Sequence, residues 1–156
     1  MPISDLLDWR RAFRTDGKRL VVTNGCFDLL HAGHVTYLEA ARNEGDALLV
    51  GVNGDASVST LKGPGRPING EMDRAAVLAA LRCVDGVCVF PESRATHFLT
   101  LALPDVYAKG GDYTRETLDS EERNAVEQAG GRIVILPLVP GRSTTSVIER
   151  IIPEKS

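Results

Sequence analysis

Five short apolar runs, alternating with helix-like stretches, predict an α/β protein: a doubly wound, five-stranded parallel sheet of Rossmann-like type. The runs are rich in Val, Ile and Leu and show little polar alternation, as strands do when helices cover both faces. Glycine-, hydroxyl- or histidine-bearing loops follow the first, second, fourth and fifth runs, and the carboxyl ends of strands are where such sheets bind ligands.

Residues 4–13 form an amphipathic segment that Ser4 or Asp5 can cap, which predicts a helix within 1–15. Strands are predicted over 20–24, 47–53, 84–90, 105–108 and 132–136. Helices are predicted over 33–43, 72–82, 94–103, 116–128 and 145–151, the last from the helical spacing of Val147, Ile148 and Ile151. The Gly/Pro cluster at 63–70 reads as a mobile loop within one domain, since too little chain lies on either side to fold alone. The 156 residues therefore predict a single domain, 1–156, with its core at 20–152.

Hydrophobic content of 43% with 25% charged residues is ordinary for a globular protein, and a net charge of −3 argues against a broad basic face for nucleic acid. No apolar run is long enough to span a bilayer, and the opening lacks the basic and apolar regions of a signal peptide, so no membrane partner and a cytoplasmic location are expected. Cys26, Cys83 and Cys88 form no CxxC pair, which suits a reducing compartment. Cys26 lies beside the most informative motif, but no local base supports a nucleophile there.

That motif is His31-Ala32-Gly33-His34, at the handover from the first strand to a helix. Residues at i and i+3 share a helical face, so both imidazoles can address one phosphate at a helix N-terminus, as hydrogen-bond donors or as partly charged stabilisers. Gly33 lets a ligand approach the backbone. Two other uses are open: a metal pair completed by Asp28, although His97 is the one other histidine, or a turn capped by His31. The second element is Arg142-Ser143-Thr144-Thr145, where a guanidinium, hydroxyls and free N–H groups at a helix start can hold polyphosphate or simply cap the helix. GxGxxG and GxxxxGK[ST] fingerprints are both absent. Other loops combine a cation with glycines: Lys62-Gly63 with Arg66-Pro67, and Lys109-Gly110-Gly111-Asp112.

These residues resemble the nucleotidyltransferase superfamily marked by His-x-Gly-His, in its cytidylyltransferase-like branch, from about residue 20 to 152. The narrower likeness, carried by Thr23-Asn24-Gly25-Cys26-Phe27-Asp28, the Lys62 and Arg66 loop and Lys109-Gly110-Gly111-Asp112-Tyr113, is to the adenylyltransferases of heptose 1-phosphate. The resemblance implies transfer of AMP from ATP to a sugar 1-phosphate, with Mg²⁺ carried by the phosphates and no metal held by protein side chains. It implies catalytic roles for His31, His34, Lys62 and Arg142, and nucleotide contacts from Thr23, Asn24, Gly25, Phe27, Gly33, Lys109, Ser143, Thr144 and Thr145. Asp28, Asn53, Asp55, Arg66, Arg74 and Asp112 are substrate-side expectations, with Asp28 also able to orient a histidine, Arg74 equally a surface ion pair and Asp112 equally a turn residue. A homodimer, fed by a separate sugar kinase and phosphatase, is the assembly implied. A cytidylyltransferase acting on a polyol phosphate such as glycerol 3-phosphate, and a nucleotide-binding regulatory module without turnover, are the alternatives.

Overall fold

The computed structural model describes residues 1–152; residues 153–156 of the expected domain lie outside the described residues. Strands β1 (Leu20–Gly25), β2 (Ala47–Asn53), β3 (Gly86–Phe90), β4 (Val106–Gly110) and β5 (Arg132–Leu136) form one parallel sheet in the order β3-β2-β1-β4-β5. The helices are α1 (Leu6–Thr15), α2 (Ala32–Arg42), α3 (Asp55–Lys62), α4 (Glu71–Ala79), α5 (Thr96–Ala102), α6 (Ser120–Gln128) and α7 (Thr144–Ile151). None of them is long and apolar enough to cross a membrane.

Strand alternation divides the core into two layers. Leu20, Val22, Leu49 and Tyr107 pack with Leu6 of α1, Phe98 and Leu99 of α5 and Val126 of α6. Val21, Leu48, Val50, Val106 and Ala108 pack on the other face with Tyr37 and Leu38 of α2 and Leu78 of α4. Covering both faces explains the near-continuous apolar runs, and all seven residues of β2 are buried. Gly51 is required on this central strand: a Cβ there would stand 2.6 Å from the Phe98 ring, which stacks on Phe90 at 5.1 Å.

The five strands and their parallel arrangement match the sequence-based expectation, with boundaries moved by local hydrogen bonds. β3 begins at Gly86 because the preceding residues form a turn, with Val84 N–H donating to Leu81 O. α6 begins at Ser120 because the Asp119 carboxylate caps it, accepting from Glu121 and Glu122 N–H. Ser4 lies in a 3-10 turn, and its hydroxyl bonds Asp5; neither side chain caps α1. Helix α3 was not expected. Its Ser, Thr and Val content gives it low helical propensity, and burial of Ser57 and Val58 stabilises it instead.

One ion pair ties α1 to the sheet. Arg10, 1% exposed, donates to Asp105 Oδ2 at 2.8 Å and Leu103 O at 3.0 Å, while the same Asp105 oxygen accepts Leu20 N–H at 2.7 Å. Burial lowers the guanidinium's pKa and the carboxylate raises it again. Asp105→Ala leaves a buried cation unpaired, so urea denaturation should show a loss of about 3 kcal/mol. A loss within about 0.5 kcal/mol, the scale of a surface change, would contradict the role given to this pair.

Candidate active site

Chain order reverses between β1 and β4, and a crevice of about 690 Å³ opens there over the carboxyl ends of the strands. On its α2 side, His31 is the residue capping α2. Its Nδ1 accepts Gly33 N–H at 3.1 Å, while His34 Nδ1 accepts His31 N–H at 3.4 Å. The rings stack with centroids 3.9 Å apart. Capping therefore does not preclude ligand binding: with each Nδ1 used as acceptor, the neutral ring carries its proton on Nε2, which can donate to an anion.

Burial and the neighbouring His31 push His34 down to about 4, and burial with Arg142 lowers His31. Both shifts favour neutral rings in the free protein at neutral pH, the form in which each carries one N–H donor. Phe27, in the left-handed region at φ 47°, turns its ring toward His34, with centroids 5.4 Å apart. Gly25 lies beneath that ring, where a Cβ would come within 3.1 Å.

The second helix start meets the first directly. A Cβ on Gly33 would lie 2.9 Å from Arg142 Cβ and from the His31 ring. Ser143 caps α7 by accepting Ser146 N–H at 3.0 Å, leaving its hydroxyl proton available. The Thr144 hydroxyl instead donates to Leu29 O at 3.1 Å, so it holds α7 against the loop before α2 rather than offering that proton to phosphate. Arg142, Ser143 and Thr145 complete the cradle, since all line the crevice.

Asp28 serves neither histidine. Its 3% exposed carboxylate accepts Arg66 Nε at 2.7 Å, Ile68 N–H at 2.8 Å and Asn69 N–H at 3.0 Å. Burial alone would raise its pKa, but those donors hold it below the usual carboxylate range. The expected mobile loop at 63–70 is thus half pinned. Residues 66–69 are tied to Asp28, and the part that does not reach it is the glycine-rich turn with Gly63 and Gly65 at φ 94° and 77°. Lys62, expected on that loop, is the last residue of α3 and lines the crevice from there.

Asn24, Asn53 and Lys109 also reach the crevice. Four expected site residues do not. Thr23 alternates onto the α2 face, where its hydroxyl pairs with Tyr37 at 2.8 Å. Arg74 is no surface residue: wholly buried, it donates to Cys26 O, Asn69 O and Asp55, and so joins two loops to the start of α3. Asp55 serves that pair, and Asp112 is exposed on the turn after β4. No cluster of three or more His, Cys, Asp or Glu that could hold a metal exists among the described residues.

Sequence reasoning missed the opposite wall: Ser93 and Arg94 after β3, Tyr113, and Asp119 and Glu122 of the α6 start. The strand-end rule pointed to Ser93 and Arg94, because they follow a strand as the other loops do. Nothing in the local sequence marks Glu122, whose position depends on α6 crossing over β4.

Two abutting helix N-termini, a histidine pair and an arginine at a sheet switch point make an α/β crevice whose donors suit a polyphosphate. The chain belongs to the cytidylyltransferase-like family, whose model matches residues 22–150. It is 50% identical over 149 residues to "Bifunctional protein HldE" of Methylobacillus flagellatus, covering 96% of this chain and 30% of that protein. With the protein of the same name from Syntrophotalea carbinolica it shares 52% over 139 residues, 89% of this chain and 28% of that one. The chain thus spans less than a third of these relatives. Among solved structures, a lipopolysaccharide core biosynthesis protein from Thermoplasma volcanium matches with TM-score 0.64 and 27% identity, over 79% of this chain and 98% of that one. A pantoate-beta-alanine ligase from Francisella tularensis, 13% identical over 97% of this chain and 72% of its own with TM-score 0.62, shares the fold.

The histidine tautomers are measurable. Because His34 titrates near 4 rather than 6.5, NMR at pH 5.5 should find its ring neutral and protonated on Nε2. The unfolded chain binds a proton there that the folded one does not, so this residue's contribution to stability is full above about pH 6.5 and falls as pH drops toward 4. A charged His34 ring at pH 5.5 would refute the assignment.

Proposed function

We propose that the protein is an adenylyltransferase that moves AMP from ATP to a sugar 1-phosphate, D-glycero-D-manno-heptose 1-phosphate, releasing pyrophosphate and an ADP-sugar. The observation that carries this reading is the pair of neutral Nε2–H donors beside Arg142, where two helix N-termini meet. The motif resemblance supports the adenylyl and heptose assignments. The two relatives at 50% and 52% identity, both named as bifunctional, match this chain over one part of their length.

In the reaction an ionised phosphate oxygen of the acceptor forms a bond to the α-phosphorus. The bond from that phosphorus to the α,β-bridging oxygen breaks, and its electron pair leaves with pyrophosphate. No proton needs to move, so the protein contributes position and charge stabilisation. His31 and His34 donate to oxygens of the phosphate under attack. Arg142, Ser143, Thr145 and the free N–H groups of α7 hold the departing β- and γ-phosphates, and Lys62 and Arg66 neutralise charge from the α3 side.

Magnesium would fit as a companion of the triphosphate. Asp28 is engaged by three donors, Asp119 caps α6 and Glu122 lies on the wall away from the phosphate cradle, so phosphate oxygens and water would hold the ion, which would withdraw charge from the phosphates. The same reading makes the protein a cytoplasmic homodimer that receives its acceptor from a sugar kinase and a phosphatase.

A pyrophosphate-release screen tests the reaction, pairing ATP, CTP, GTP and UTP with sugar 1-phosphates and with polyol phosphates including glycerol 3-phosphate. ATP with the heptose 1-phosphate should give the highest kcat/KM. Preference for CTP with glycerol 3-phosphate, or release with no pair, would overturn it.

Two substitutions test the roles. His31→Ala and His34→Ala should each lower kcat by roughly 100- to 1000-fold while changing ATP affinity little, because the donors act on charge that develops in the transition state. Arg142→Ala should weaken ATP far more than AMP in calorimetric titrations, since AMP lacks the phosphates this arginine holds. Equal weakening of both nucleotides would move Arg142 to the ribose or base.

A further inference from the structure

The wall of the crevice facing the phosphate cradle carries polar groups for which phosphate transfer has no use. Alternation from Val22 and Tyr107, both in the α5 and α6 core layer, puts Asn24 and Lys109 on that same side of the sheet. Lys109 Nζ approaches one acceptor, Asn24 Oδ1 at 3.4 Å, and lies 5.4 Å and 5.0 Å from the ring centroids of Tyr107 and Tyr113. An ammonium group has three donors, so most of its capacity is unused. Burial lowers its pKa, while nearby Glu122 acts in the opposite sense.

Glu122 is 8% exposed and lines the same wall. One carboxylate oxygen accepts Ala95 N–H at 2.8 Å and the other accepts the Tyr107 hydroxyl at 3.2 Å. A carboxylate has about four acceptor positions, so this one is held rigidly with capacity to spare. Tyr107 also has its hydroxyl 2.7 Å from Asn24 Oδ1. A continuous chain of contacts therefore runs from Lys109 through Asn24 and Tyr107 to Glu122, with an under-used cation at one end and an under-used carboxylate at the other.

That pairing selects among ligand groups. A phosphate would suit Lys109 but be repelled by Glu122 and by Asp119 on the same wall. A nucleobase finds apolar cover elsewhere, at Leu138, which packs on Gly110 and Gly111 beside Tyr37 on the α2 side. Adjacent hydroxyls match both ends, since each can accept from the ammonium and donate to the carboxylate.

ATP and the acceptor both carry such hydroxyls. In-line displacement separates them, because the attacking oxygen must approach the α-phosphorus from the side opposite the leaving pyrophosphate. Pyrophosphate leaves on the α2 and α7 side, so the acceptor enters along the α5 and α6 side. We propose that Lys109 and Glu122, braced by Asn24 and Tyr107, form the subsite that recognises vicinal hydroxyls of the acceptor sugar and sets its specificity. This rests on the adenylyl-transfer reading and moves Lys109 from the nucleotide to the acceptor.

The test is steady-state pyrophosphate release by the full chain: wild type, Lys109→Met and Glu122→Gln. The acceptors are the heptose 1-phosphate and its monodeoxy analogues, and the nucleotides are ATP, 2′-deoxy-ATP and 3′-deoxy-ATP. Glu122→Gln keeps an acceptor for Ala95 N–H, and Lys109→Gln replaces the methionine variant if circular dichroism shows that it has not folded. Each variant should raise the acceptor KM by about 10-fold or more, the scale of a lost charge-assisted hydrogen bond, with the KM for ATP little changed. Discrimination against at least one deoxy-sugar should collapse in parallel.

Folded variants with wild-type discrimination among the sugars would make the wall a structural brace and overturn the inference. So would loss of discrimination against the deoxy-nucleotides alone, which would put the ribose there. Those results leave the adenylyl-transfer reading standing; a wild type that turns over no sugar 1-phosphate with ATP overturns both.

Discussion

The site depends on one topological constraint, the position of β1 between β2 and β4. Helices that follow β1 and β2 pack on one face of the sheet, whereas α5 and α6 lie on the other. Neighbouring loops at the carboxyl ends of β1 and β4 therefore diverge, and the gap becomes the crevice. Strand parity aims Asn24 and Lys109 into it, and helix starts aim His31, His34, Ser143 and Thr145. That is why Thr23 and Asn24, adjacent in sequence, serve different structures: one pairs with Tyr37 beneath α2, the other with Tyr107 in the opposite wall.

At the α2 start, opposite edges of the same two rings face the backbone and the crevice. The Nδ1 atoms of His31 and His34 satisfy backbone N–H groups that a helix N-terminus leaves without intrahelical partners. Those bonds set the tautomer and so leave Nε2–H to the ligand. Burial acts in the same direction by disfavouring the charged rings. A lysine or arginine here would bring charge without the defined direction of that donor, and a serine would cap the helix without reaching far beyond it.

Three carboxylates, two of them buried, perform the corresponding task between distant segments. Asp28 gathers the backbone of Ile68 and Asn69, Asp105 takes Leu20 N–H together with Arg10, and Glu122 holds Ala95 N–H. In each case a side chain satisfies a backbone donor that the sheet or helix ladders do not reach, and the charge-assisted bond joins pieces remote in sequence. Arg74 is the cationic counterpart, collecting carbonyls from the loop after β1 and the segment before α4. These braces tie the crevice walls together, and the glycine turn between α3 and Arg66 takes the left-handed φ values of Gly63 and Gly65.

The sequence by itself determined the parallel sheet, the two helix starts that meet at the crevice and the family, because apolar periodicity and the His-x-Gly-His and Arg-Ser-Thr-Thr segments are local signals. It also indicated most of the cradle, since histidine spacing on a helix is set by three residues of chain. Tertiary structure alone decided which polar residues face the ligand. Arg74 and Asp55 looked like site residues but were drawn into a buried brace, and Asp28 went to the loop instead of a histidine. Helix α3 exists because Val58 and Ser57 find a core that their own propensities do not predict. Glu122 entered the crevice only because α6 crosses over β4, placing it against Tyr107, fifteen residues away in sequence. The physical reason is common to all of these: a side chain takes its role from the partners that bury or satisfy it, and those partners come from other parts of the chain.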